Sequence, residues 1–226
     1  ALKGAGYGTD KAIFAYGYNS SGSNVSMSNL VSNSGVVATD VTGVGTARRA
    51  LAAAEYGVGL AIFAYGYVGS NVSLSNLVNS SGVVATDTTG VGSARRNIAA
   101  AAYGTDKAIF AYGLTSSNVS LTNLVSNSGV IASDVTGVGT ARQALAAAGF
   151  GTDKAIFGYG WISSTSSITN LVSNVGVVAS DTSGVGTARE NLAAAAYGGD
   201  KAIFGFGSTG SVTGVTNLVN SSGVVA

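Results

Sequence analysis

The chain has 226 residues and is almost neutral, with 11 Lys and Arg residues, 10 Asp and Glu residues and a net charge of +1. It lacks the basic excess that would neutralise phosphates, so we expect no nucleic-acid partner. His and Cys are absent. Their absence removes the usual ligands of zinc, copper and haem iron, and no cofactor is expected.

The beginning of the chain and its hydropathy bear on its location. No apolar run approaches the roughly 18 residues that span a bilayer, so we expect no membrane partner. The first residues, Ala1-Leu2-Lys3-Gly4, carry no signal-peptide pattern. Either the sequence is that of the mature chain or targeting is supplied elsewhere, and the sequence assigns no compartment.

Internal repetition dominates the sequence. An Ala-Ile-Phe segment recurs five times, with its isoleucine at positions 13, 62, 109, 156 and 203. A Gly-Val-Gly-(Thr/Ser)-Ala-Arg segment recurs four times and ends at Arg48, Arg95, Arg142 and Arg189, always 47 residues apart. The chain therefore contains five units joined by four connectors. We predict one domain, 1–226, with blades over about 1–38, 50–85, 97–132, 144–179 and 191–226.

Each unit contains four predicted strands, which in the second unit are 50–54, 61–65, 71–75 and 82–85. The first is Ala-rich and ends at a turn. The second is continuously apolar, as a strand buried on both faces should be, and the third alternates with period two. The fourth leads into the connector. Four short strands in a repeat of this length predict an all-β fold, a closed five-bladed β-propeller with four antiparallel strands per blade.

The Ala-rich segment 48–55 leaves an alternative fold open. Its residues have high intrinsic helix propensity, which would suit a solenoid with one helix per repeat. The Ala run is short and flanked by Gly, and the other segments are all strand-like. A solenoid would also need polar caps at both ends. The propeller is therefore the favoured fold.

The stretch 48–66, Arg-Arg-Ala-Leu-Ala-Ala-Ala-Glu-Tyr-Gly…Ala-Ile-Phe-Ala-Tyr-Gly, resembles the kelch repeat. That family ends its second strand in Gly-Gly, whereas this chain has Tyr-Gly or Phe206-Gly207. The resemblance covers about half of each unit and implies four antiparallel strands per blade, running outward from the axis. The chain is also similar to kelch-like repeats in phage and environmental sequences, which implies a viral structural protein of the virion or the extracellular space. The near-identity of its copies is equally typical of an engineered or reconstructed propeller.

Acidic residues recur at two places in the unit. Asp10 and its equivalents lie in Gly-(Thr/Gly)-Asp-Lys turns, which Asp favours through local hydrogen bonds, and the Asp-x-Asp spacing of a calcium loop is missing. Asp40 and its equivalents precede each connector arginine by eight residues. That spacing favours an Asp–Arg ion pair within the connector over a carboxylate pair for glycoside hydrolysis. No catalytic residue or metal ligand is assigned, and no enzymatic activity is expected.

The five copies differ mainly in the loop after the second strand and at the position after the connector arginine. In an antiparallel blade both places emerge on one face, which we call the rim. Its aromatic, guanidinium and hydroxyl groups suit a glycan or another small polar ligand, although surface loops also vary freely where little is packed. The candidate ligand-binding residues are Tyr18, Tyr67, Leu114, Trp161, Arg49, Arg96, Gln143 and Glu190.

Two functions from different classes fit this pattern. The first is a non-enzymatic structural or designed repeat scaffold, of viral origin if the resemblance holds, and the near-identical copies favour it. The alternative is a multivalent lectin-like module that combines several weak rim sites. The Tyr, Trp and Arg residues of the rim favour this second function. We expect a monomer in either case.

Overall fold

The computed structural model describes residues 2–226, and every regular element among them is a β-strand. The predicted all-β class is therefore confirmed. None of these residues forms a helix that is long and apolar enough to cross a membrane. The Ala-rich segment that left a helical solenoid open forms the strand Ala52–Tyr56. A solenoid with one helix per repeat is therefore excluded.

The strands form five antiparallel sheets of three strands, and consecutive strands pair within each sheet. Sheet 1 contains β1 (Lys3–Tyr7), β2 (Lys11–Tyr18) and β3 (Asn24–Val31). Sheet 2 contains β4 (Ala52–Tyr56), β5 (Leu60–Tyr67) and β6 (Asn71–Val78). Sheet 3 contains β7 (Ala99–Tyr103), β8 (Lys107–Ala111) and β9 (Thr122–Val125). Sheet 4 contains β10 (Ala146–Phe150), β11 (Lys154–Trp161) and β12 (Thr165–Val172), and sheet 5 contains β13 (Ala193–Tyr197), β14 (Lys201–Gly205) and β15 (Thr216–Val219).

The predicted fourth strand of each unit is not a regular strand. In sheet 2 its segment meets β6 only at the isolated bridges Val78–Val84 and Ser75–Thr88. Gly82, with a φ of 82°, ends the turn that begins at Asn79, and its N–H donates to Asn79 O at 2.9 Å. The turn brings the chain back beside β6, and the chain then diverges into the connector. Sheets 1, 3 and 4 have both bridges, and sheet 5 has the first of them. The sheets are therefore three-stranded, with a loosely attached fourth segment.

The first strands β1, β4, β7, β10 and β13 pack side by side in chain order. A row of backbone hydrogen bonds links their beginnings, since Asn97 N donates to Ala50 O at 2.8 Å and Ala144 N donates to Asn97 O at 3.0 Å. The core is divided into four apolar clusters, one at each junction between neighbouring sheets. Alanine suits the first strands because neighbouring backbones approach closely there.

The series of sheets does not close within the described residues 2–226, in contrast to the predicted closed ring. Phe63, Phe110 and Phe157 are fully buried by the preceding sheet, whereas the equivalent Phe14 of sheet 1 is 39% exposed. At the other end Phe206 of sheet 5 is 63% exposed. Within residues 2–226, each of the four junctions uses groups from the connector between its two sheets.

Candidate functional site

A buried arginine stands at each of the four junctions, and Arg48, Arg95, Arg142 and Arg189 are all fully buried. At the junction of sheets 2 and 3, Arg95 Nε donates to Tyr112 O at 2.9 Å and Nη2 donates to Asn123 Oδ1 at 2.5 Å. Its Nη1 donates to Ser93 O at 3.1 Å. The same guanidinium stacks on the Tyr65 ring of sheet 2 at 4.4 Å. The arginine therefore joins a connector to both sheets that the connector separates.

At two junctions the carboxylate beside the arginine comes from a different connector than the sequence predicted. Arg95 is 3.6 Å from Asp134, in the connector that follows sheet 3, and Asp87, eight residues before Arg95, lies 3.8 Å from Arg48 instead. The prediction of an ion pair within one connector is therefore wrong about the partner. Burial alone would raise the pKa of Asp134, but hydrogen bonds from Ser93 and Asn123 and the charge of Arg95 hold that pKa below its ordinary value.

At three of the four junctions, the tyrosine under the arginine lies in a β-bulge. In sheet 2 the register between β5 and β6 shifts between Ala64 and Gly66, and Tyr65 between them has a φ of 65°. This strained conformation turns the ring toward the next sheet. There it meets Phe110 at a centroid distance of 5.4 Å, and its hydroxyl donates to Val91 O at 3.3 Å. Burial raises the pKa of Tyr65 to about 12, against the opposing charge of Arg95.

The rim residues that the sequence singled out lie together in the structure. Tyr67 N donates to Arg49 O at 2.8 Å, and Arg49 N donates to Tyr67 O at 3.2 Å. The same antiparallel bridge occurs once in each of the next three sheets, and it joins Arg96 to Leu114, Gln143 to Trp161 and Glu190 to Ser208. The two variable places of the sequence therefore lie side by side on one edge of the molecule.

Aromatic rings and guanidinium groups alternate along the first part of the rim. The Arg49 guanidinium lies 4.5 Å from the Tyr18 ring and 5.1 Å from the Tyr67 ring. The Arg96 guanidinium covers the Tyr67 ring from the next sheet at 4.8 Å. The alternation stops there because Leu114 takes the aromatic position. Tyr18 is 47% exposed, so one end of this stack is open to solvent.

Three asparagines of the rim were missed as part of the site in the sequence analysis. Asn24, Asn71 and Asn118 begin or precede the third strand and reach the next sheet. Asn71 Nδ2 donates to Leu114 O at 3.1 Å, and its Oδ1 accepts from Arg96 Nη1 at 3.2 Å. Their recurrence at one position of the repeat was the signal that could have identified them.

A cavity of about 910 Å3, which we call the central cavity, is lined by the first strands of all five sheets. Half of its lining residues are Ala, and the others include Leu, Ile, Phe, Asn and Gly. Lys3 and Arg49 are the charged residues among the described lining. Burial lowers the pKa of the Lys3 ammonium. The cavity therefore combines an apolar wall with positive charge.

The glycines of the connectors and the turn aspartates have structural contacts. A Cβ added at Gly90 would lie 2.7 Å from the backbone carbon of Ser73, so the connector needs glycine to approach β6. In the turn of sheet 3, Asp106 accepts from Lys107 Nζ at 2.8 Å and from Asn127 Nδ2 at 3.0 Å. Within residues 2–226, no group of three or more Asp or Glu side chains is placed to hold a metal ion.

Neither the protein-family models nor the curated proteins give a relative for this chain. It matches no protein-family model. A search of curated proteins likewise finds no match.

Proposed function

We propose that the five sheets are the blades of a kelch-type β-propeller that is open between sheet 5 and sheet 1. The first strands of all five sheets line one cavity, as the innermost strands of a propeller do, and this supports the arrangement. The bridge-forming segments, such as 82–85 beside β6, then correspond to the fourth, outermost strand of each blade.

An engineered cysteine pair tests this arrangement. Phe14 and Phe206 both line the central cavity, and their equivalents at an intact junction, Phe110 and Tyr65, have ring centroids 5.4 Å apart. If sheets 1 and 5 face each other across a narrow opening, the double variant Phe14→Cys/Phe206→Cys should oxidise to an intramolecular disulfide. The chain has no cysteine of its own, so non-reducing electrophoresis and peptide mapping give an unambiguous answer.

A matched pair provides the control for this experiment. Val58 is 80% exposed in the turn of sheet 2, and Val58→Cys/Phe206→Cys should remain reduced under the same conditions. A disulfide that forms only between molecules, or equally in both pairs, would count against a propeller with one narrow opening.

We propose that the chain acts as a non-enzymatic structural repeat scaffold. The observation that carries this proposal is the use of the recurring charged residues within the junctions. The Arg95 guanidinium donates hydrogen bonds to carbonyl and amide oxygens, and Asp134 accepts hydrogen bonds from Ser93 and Asn123. Groups that hold neighbouring sheets together in this way contribute to stability, and the same arrangement is repeated along the chain.

A combined screen tests the scaffold proposal. The wild-type chain would be applied to a glycan array and incubated with a panel of chromogenic glycosides and esters. We expect neither retention on the array nor turnover of any substrate. Turnover that copurifies with the folded chain and disappears when Asp134 is replaced by Asn would overturn the non-enzymatic part of the proposal.

The second candidate is multivalent, lectin-like binding at the rim. Trp161 favours it, because this half-buried indole lies beside Gln143 beyond the end of the Tyr–Arg stack, and an aromatic ring next to an amide suits a sugar. The triple variant Tyr18→Ala/Tyr67→Ala/Trp161→Ala should then lose any glycan that the wild type retains. Retention that survives the triple substitution would exclude the rim as the site.

A further inference from the structure

The central cavity contains two cations whose charge no described residue neutralises. Lys3 occupies the position in β1 that Ala52 occupies in β4, since they pair with the equivalent residues Ala15 and Ala64. Within residues 2–226 the Lys3 ammonium forms no ion pair with a carboxylate. Lys3 is half-buried. A partly desolvated ammonium without a counter-charge is less stable than one in water, and a bound anion would relieve that cost.

Arg49 also lines the cavity, and within residues 2–226 its side-chain N–H groups make no hydrogen bond. Its guanidinium lies between the rings of Tyr18 and Tyr67, 4.5 and 5.1 Å from their centroids. The equivalent Arg96 donates to Asn71 Oδ1 at 3.2 Å. At Arg49 that bond is absent from the described structure, and the corresponding oxygen, Asn24 Oδ1, is buried without a partner. The two rings fix the guanidinium while its N–H groups remain available.

Both cations lie at one end of the cavity. Lys3 pairs with Ala15 in sheet 1. Two residues later, Gly17 N donates to Arg48 O at 2.9 Å, and Arg48 directly precedes Arg49. This hydrogen bond joins sheet 1 to sheet 2, so the lysine and the arginine belong to adjacent sheets at the rim end of the cavity, with Arg49 three positions nearer the rim than the position that Lys3 shares with Ala52.

We propose that the central cavity binds a monocarboxylate with an aliphatic tail, with the carboxylate held by Lys3 and Arg49 and the tail lying along the Ala-rich first strands. Guanidinium groups suit carboxylates because two N–H groups can bind both oxygens in parallel. An aliphatic tail loses contact with water against the apolar wall. The volume of about 910 Å3 falls within the range of small-molecule sites. This inference goes beyond the scaffold function and does not depend on it.

Titration calorimetry with octanoate at low ionic strength tests the proposal. We expect saturable binding of one octanoate per chain, and weaker binding of butanoate because its tail buries less surface. Octanol, which has the tail without the charge, should bind at least about tenfold more weakly than octanoate. The variants Arg49→Gln and Lys3→Met should each weaken octanoate binding by about tenfold or more, the loss expected for one hydrogen bond to a charged group.

Two matched variants serve as controls. Arg96→Gln removes an arginine that stacks on the rim but does not line the cavity, and Lys11→Met removes an exposed lysine of the same sheet as Lys3. Both should bind octanoate like the wild type. Equal binding of octanol, undiminished binding by the double variant Lys3→Met/Arg49→Gln, or no saturable binding at all would overturn the proposal. Circular dichroism of each variant separates a lost site from a lost fold, and the scaffold proposal is unaffected by any of these results.

Discussion

Replacing Arg95 with Met removes the most highly connected side chain at one junction while keeping a long apolar stem. Three hydrogen bonds to Tyr112 O, Ser93 O and Asn123 Oδ1 are lost, each of which contributes about 1 kcal/mol. The buried cation–π contact with Tyr65 at 4.4 Å contributes up to about 2 kcal/mol. The expected loss of unfolding free energy is therefore about 3–5 kcal/mol, the range found when one partner of a buried charge pair is removed.

Urea denaturation, followed by circular dichroism and by the fluorescence of Trp161, measures this loss. Arg96→Met is the matched control, because Arg96 is the next residue, is only half-buried and makes one side-chain hydrogen bond at the rim. It should cost about 1 kcal/mol or less. A loss below about 1 kcal/mol for Arg95→Met, or equal losses for the two variants, would refute the view that the buried arginines hold the sheets together.

Other predictions concern the bulge and the buried tyrosine. Gly66→Ala should lower the unfolding free energy by about 2 kcal/mol or more, because its Cβ would lie 2.7 Å from Arg49 O. Gly69 has a similar positive φ but open space around it, so Gly69→Ala should lose only about 1 kcal/mol through backbone strain. Thermal unfolding of both variants separates the steric clash from the strain. Tyr65→Phe should cost about 0.5–1.5 kcal/mol through loss of the bond to Val91 O, measured by urea denaturation. Since folding raises the pKa of Tyr65 from 10.0 to about 12, its contribution to stability should persist below pH 10 and be lost as pH rises through this interval; a stability-versus-pH curve identical to that of Tyr65→Phe would contradict this.

A separate prediction concerns the stability of the fold at low pH. Burial alone would raise the pKa of Asp134, but its hydrogen bonds and Arg95 lower it below 3.8. The folded state therefore binds the proton less readily than the unfolded state. The stability that Asp134 contributes should be fully present above pH 3.8 and should decline as pH falls below that value. The variant Asp134→Asn should show a flatter decline in acid denaturation, and an unchanged slope would contradict the assigned ion pair.

Much of the local structure follows from the amino-acid sequence. A continuous apolar run predicted the second strand and alternation predicted the third, which run over Leu60–Tyr67 and Asn71–Val78 in the second unit. These patterns are visible in the sequence because side chains of a strand alternate between its two faces. The sequence also predicted that the two variable places of each unit emerge on one face, and the bridge between Arg49 and Tyr67 brings them together there. The ends of strands were less well predicted, since turns and bulges extend or shorten them.

The tertiary structure decided the features that periodicity leaves ambiguous. A repeating sequence looks the same after a shift by one unit, so it does not distinguish the Asp before Arg95 from the Asp after it, and only the path of the connectors places Asp134 beside that arginine. The same degeneracy did not reveal that the series of sheets fails to close within residues 2–226, because Phe14 and Phe206 occupy positions that are buried at the other junctions. Lys3 and Arg49 belong to different units, and the packing of the sheets places both in the lining of one cavity. Local pattern determined the strands, and the packing of one unit against the next determined which side chains meet.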